Sequence, residues 1–262
     1  MNTRTFLAAG SSLWLCLSLF LSGQALAYRP FDGTDAAVAE HGEFELELGP
    51  LGYYQVGSEH DLVLPSVVLN YGIFERVELV LAGFNYLGLD AHTPPPLDRI
   101  LDTELSAKVV LREGCLQEKD GVSVATEVGV LLPQRGGEQG VGGSVAGILT
   151  KCFGKTFTIH FNGQVELTRQ QNPDLFGGVI FEGPQGGVVR PVAELYVERE
   201  FNVATTYSGL LGLLWPVNEH LDGDLGVRLA ATSDVGLLGT TLGSPQESPL
   251  FEIRLGITWR YR

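Results

Sequence analysis

The chain closes on "FEIRLGITWRYR", residues 251 to 262, where Phe251, Ile253, Leu255, Ile257, Trp259 and Tyr261 fall on one parity. Glu252, Arg254, Thr258 and Arg260 fall on the other, with Gly256 among them. A period of two without exception belongs to an extended strand, which sends every apolar group one way and every charge the other. Two architectures accept such a strand. In a soluble sandwich the apolar side is the core, whereas in a membrane barrel it meets lipid and the charges face an interior.

The rest of the chain decides between them. "TFTIHFNGQVEL", 156 to 167, repeats the pattern, with Phe157, Ile159, Phe161, Val165 and Leu167 opposite Thr158, His160, Asn162, Gln164 and Glu166. At ~3.3 Å per residue this strand is longer than a sandwich needs, and it crosses a bilayer when tilted by ~40°. Similar segments recur at 42–51, 62–73, 76–87, 101–113, 121–132, 141–153, 156–168, 175–183, 188–200, 203–215, 221–231 and 250–262. That makes about twelve, and a closed bacterial barrel takes an even number. Glycine, at 34 residues, is enriched to roughly 13 % against an ordinary ~7 %, which suits crowded strands. A sandwich of this many long strands would leave edges to protect, and closure removes them. The expectation is an all-β fold: a single closed antiparallel transmembrane barrel of about twelve strands spanning residues 28–262.

The N-terminus agrees. "MNTRTFLAAGSSLWLCLSLFLSGQALA" has a basic start at Arg4, an apolar stretch and a small-residue Ala25-Leu26-Ala27 site, and reads as a signal sequence over residues 1–27. No later stretch is apolar enough for a transmembrane helix. A net charge of −14 offers nothing to a phosphate backbone, so nucleic acid is excluded as a partner. The partners expected are outer-membrane lipid, the barrel assembly machinery during biogenesis, and a small-molecule solute. Beyond the signal, Cys115 and Cys152 remain; an oxidising compartment allows a disulfide between them, and two buried thiols are the alternative.

With the polar parity inward, the lumen would be lined by Glu43, Glu45, Glu47, Glu78, Asp102, Glu104, Lys108, Arg112, Glu127, His160 and Glu166, then by Arg190, Glu194, Glu198, Asp222, Asp224, Arg228, Glu252, Arg254 and Arg260. Closure sets the last strand beside the first, so Arg254 and Arg260 should face the Glu43–Glu45–Glu47 ladder and relieve its repulsion. The inward set is mostly charged or small, which leaves no apolar ligand cavity. It reads either as a somewhat cation-favouring lumen or as a salt-bridged network filling a narrow barrel. No metal motif, no G-x-S-x-G and no cofactor signature occurs. A hydrolase would need His160 paired with Ser144 or Ser123, and nothing in the sequence aims them at each other.

Several motifs, in order, resemble a bacterial outer-membrane family filed under the meta-pathway of phenol degradation and labelled as transporters. These are "YRPFDGTDAAVAEHGEFELELG", "LPSVVLNYGIFERVELVLAG" (64–83), "DTELSAKVVL" with "GVSVATEVGVLLP", and "AELYVER" with "HLDGDLGVRLAATSD". The resemblance implies an outer-membrane barrel for passive passage of small molecules, with hydrophobic or aromatic compounds as candidates. Such barrels usually end on an aromatic residue; here Tyr261 stands one place before the end. The alternatives are a plugged structural barrel that displays its outer loops, and the outer-membrane hydrolase.

Overall fold

A computed structural model describes residues 30–56, 59–88, 100–234 and 248–262. The signal sequence expected over 1–27 and most of the connections 87–98 and 232–249 lie outside the described residues. The chain folds into twelve antiparallel strands: β1 (Phe44–Val56), β2 (Glu59–Phe74), β3 (Val77–Gly88), β4 (Leu101–Arg112), β5 (Ser123–Leu131), β6 (Gly142–Phe153), β7 (Phe157–Leu167), β8 (Pro173–Glu182), β9 (Arg190–Glu200), β10 (Ala204–Asn218), β11 (Leu221–Asp234) and β12 (Ser248–Tyr261). Each pairs with its sequence neighbours, and β12 pairs with β1 to close the barrel. The sequence segments match these strands, except that the stretch 52–61 is mostly strand, as β1 and β2 run on past it. A 3₁₀ turn, Cys115–Gln117, interrupts the β4–β5 connection.

The alternation resolves as a lipid-facing barrel. Along β12, Ile253, Leu255, Ile257, Trp259 and Tyr261 are exposed on the outside, while Glu252, Thr258 and Arg260 are buried inside. Along β7, Phe157, Phe161, Val165 and Leu167 are exposed, and Thr158 and His160 are buried. An apolar exterior round a polar interior would be costly in water and is what a bilayer requires. Trp259 and Tyr261 stack 5.7 Å apart on the outside, close to the end of the barrel where β1 begins and β12 ends. Leu211, at mid-strand in β10, is 71 % exposed. Leu211→Arg is therefore expected to lower the stability of the barrel in lipid vesicles by about 2–4 kcal/mol, as read by urea titration.

Five of the twelve seams shift in register, three of them at β1, β2 and β3. The register shifts between Leu48 and Leu51 against β12, between Val63 and Ser66 against β3, and between Ala82 and Phe84 against β4. Pro50 and Pro65 fall within the first two, where a residue without an N–H cannot continue the ladder. The first two shifts exchange the inward parity of their strands, so Glu45 and Glu47 point inward below the bulge of β1, and Gly52 and Tyr54 above it; the third leaves β3 unchanged, with Glu78, Val80 and Phe84 all lining the lumen.

Candidate functional site

The lumen is occupied. Residues 30–43, ahead of β1, touch side chains of β3, β4, β6, β7, β9, β11 and β12, and only a position inside the barrel can reach them all. The segment runs from mid-lumen, where Pro30 lies against Gly226, to the end of the barrel where β1 begins. Gly226 and Gly72 permit this path. A Cβ on Gly226 would stand 2.8 Å from Pro30, and one on Gly72 would stand 2.0 Å from the carbonyl oxygen of Glu40.

Strand side chains hold the backbone of the segment. The Glu194 carboxylate accepts from the amides of Asp32 and Gly33 at 2.9 and 2.7 Å. Asn162 Oδ1 accepts from Thr34 at 2.9 Å, Thr150 Oγ1 from Ala36 at 3.1 Å, and Glu78 Oε2 from Ala39 at 2.6 Å. In the other direction, Arg254 Nη1 donates to the Pro30 carbonyl at 2.7 Å and Gln117 Nε2 to that of Ala36 at 3.0 Å. These bonds satisfy groups that an extended segment cannot satisfy itself.

Charge is matched as well. Asp32 lies 2.9 Å from Arg254 Nη2 and 3.5 Å from Arg228 Nη1. Lys108, 1 % exposed, stands 3.8 Å from Asp35 and 3.6 Å from Glu78, and donates to Thr34 Oγ1 at 3.1 Å. Three interior cations are thus neutralised in part by two aspartates from the segment. Buried charges are tolerable only when paired in this way.

The lining expected from sequence divides accordingly. Glu78, Lys108, Glu194, Arg228 and Arg254 grip the segment directly, and Glu252 supports Arg254 at 2.8 Å. Arg260 closes the β1–β12 seam as expected, with Glu45 at 2.5 Å and Asp222 at 2.8 Å. Arg254 does not meet the glutamate ladder, because the β1 bulge sets Gly52 opposite it. Glu47 accepts from Asn70 at 2.9 Å, and Asp224 is buried on the inward face of β11. Glu43 is at the mouth, bonded to the amide of Glu40, and Arg112 is exposed at the rim after a shift in β4. His160 bonds Thr150 at 2.9 Å and faces Glu182 at 3.5 Å, with Arg190 on the far side of Glu182 at 2.8 Å. His160 and Thr150 are both enclosed, while Ser144 donates to Glu104 and Ser123 to Gln117, so no Ser–His pair forms. Cys115 and Cys152 are joined as a disulfide.

Beyond the segment the lumen opens. A cavity of about 580 Å³ is lined by Phe31 of the segment, by Tyr54, Phe84, Phe176 and Tyr196, and by Glu104, Glu127 and Glu198. Where no apolar ligand cavity was expected, aromatic side chains share the lining with acids. Phe176 and Tyr196 sit on the charged parity of β8 and β9, 5.0 Å apart, and Arg228 lies 5.0 Å over the Tyr196 ring. Asp102 and Glu198 also line a vestibule of about 610 Å³ at the end of the barrel opposite the start of β1, together with Glu166, Asp174 and Glu200. Its arginine, Arg169, donates to the carbonyls of Leu132 and Thr103 at 2.8 and 2.6 Å.

No family model and no curated protein matches the chain. Solved structures do. The COG4313 outer membrane channel from Pseudomonas putida F1 aligns at 11 % identity and a TM-score of 0.60, covering 88 % of this chain and all of that one, 100 %. The KdgM porin aligns at 8 % and 0.55 over 83 % of this chain and 99 % of its own, and the NanC porin at 6 % and 0.53 over 82 % and 98 %. At such identities the likeness is one of fold.

Proposed function

We propose that this protein is an outer-membrane channel for passive passage of small solutes, with the start of β1 and the end of β12 on the periplasmic side and the lumen closed on that side by residues 30–43. The observation that carries the reading is the way the segment is held. Hydrogen bonds and ion pairs that water can replace secure most of it, with one small apolar contact at Ala36, and a cavity stands directly above it. The folds it resembles belong to porins and an outer membrane channel, and its sequence motifs resemble the phenol meta-pathway family. The rings around the cavity give aromatic solutes a surface, and the vestibule acids favour cations over anions.

The test is conductance of the refolded full chain in a planar bilayer under a salt gradient. Infrequent openings are expected, with a reversal potential of the sign that marks cation selectivity. Permanent silence from protein shown to be folded would transfer the function to the outer connections, as in a barrel that only displays them. A deletion strain should take up small aromatic solutes more slowly than its parent, and equal uptake would remove that solute class.

A further inference from the structure

The geometry points to the lower lumen as a binding site for extended acidic oligopeptides made of small residues, with the chain's own segment as its resident occupant. The wall addresses the backbone more than the side chains. Glu194, Asn162, Thr150 and Glu78 accept from the amides of residues 32, 33, 34, 36 and 39, and these bonds are open to any peptide in the same conformation. What the wall selects is charge and size. Carboxylates three residues apart, as in Asp32 and Asp35, are needed to reach Arg254 and Lys108. At the position of Gly33 a Cβ would come within 3.0–3.1 Å of Asn162 and Glu194, and Ala36 is wholly buried against Ala125 and Ile148. Bulky residues are therefore refused at both places. Peptides of this description become a solute class of the channel, a conclusion that rests on the channel reading for passage but not for binding.

A tethered segment competes at an effective concentration on the order of millimolar, so the tether has to be weakened before a free peptide is seen. The full chain carrying Asp32→Ala and Asp35→Ala is placed in lipid nanodiscs and titrated with labelled peptide PFDGTDAAVAE, the sequence of residues 30–40. Saturable anisotropy is expected, with PFNGTNAAVAE and PFDLTDAAVAE binding about tenfold more weakly or worse, since each loses buried ion pairs or fit. Absence of saturation, or equal binding of the three peptides, overturns the site. If the double variant does not fold, Asp32→Ala alone is used with the same peptides. Conductance of the same protein separates the two readings: binding without current at any voltage keeps the site and removes the channel, whereas current that no peptide blocks removes the site and keeps the channel.

Discussion

Lys108→Ala is expected to turn a mostly closed channel into a mostly open one. The ammonium is buried between Asp35 of the segment and Glu78 of the wall, and it also donates to Thr34. Its removal leaves two carboxylates confined together with little to balance them. Breaking one partner out of a buried charge cluster costs about 3–5 kcal/mol, because the remaining charge is stranded rather than because a contact is missing. In a rigid core that cost would appear as lost stability. Here the closed state bears it, since Asp35 can leave with the segment and Glu78 can then be hydrated. The equilibrium between closed and open should shift by about two to four orders of magnitude. Open probability in planar bilayers gives the direct reading, and protease cleavage within residues 30–43 of the folded barrel gives an independent one. A variant that stays closed and resists cleavage, with its unfolding transition unchanged, would show that the segment is not held through Lys108.

How much of this could be seen in the sequence follows from the period of a strand. Where pairing is regular, side-chain parity alone assigns inside and outside. β12 and β7 were fully legible, down to the Arg260–Glu45 contact across the closing seam. Parity fails where register shifts. The bulge near Pro50 exchanges the faces of β1, which hides Tyr54 among outward residues and sets Arg254 opposite a glycine. Phe176 and Tyr196 were legible in position, because they share the parity of Asp174, Glu182, Glu194 and Glu198, but an inward set drawn from charged residues and His160 did not include them.

The segment itself was present as "RPFDGTDAAVAEHG", which neither alternates nor forms a helical period. A stretch without a face of its own gives no hint of which surface it meets. Its partners, Asn162, Thr150 and Glu194, were all on the inward parity, yet nothing in a strand pattern says what an inward group will bind. The excess of acids over bases in the lumen was visible. That Lys108, Arg228 and Arg254 were committed to Asp35 and Asp32 was not, because those aspartates lie outside every strand.

Replacing both Cys115 and Cys152 by alanine should have two effects that can be measured apart. The disulfide spans a sequence separation of 37 residues, and the chain-entropy relation for a loop of that size gives about 4 kcal/mol of stability lost with it. Urea refolding into vesicles should show this loss in the parent under a reductant and in the double variant without one. The second effect concerns the floor of the lumen. The bond ties the 3₁₀ turn to β6, and the turn brings Leu116 against the cluster of Ala36, Ala125 and Ile148 while Gln117 holds the Ala36 carbonyl. Ser123 donates to Gln117 Oε1 and accepts from the Leu116 amide, so the turn is fixed on both sides. An untied turn can swing away from the mouth and take its contacts to the segment with it. Open probability should therefore rise in the double variant. Gln117→Ala should raise it more modestly, by the ~1 kcal/mol of the bond to the Ala36 carbonyl, while the bonds that Gln117 Oε1 accepts from Gly114 and Ser123 are lost as well and bring the fall in unfolding free energy to about 1–3 kcal/mol. A double variant that loses stability but stays as closed as its parent would confine the disulfide to holding the barrel together, and the segment would then depend on its grip higher in the lumen, at Glu194, Arg254 and Lys108.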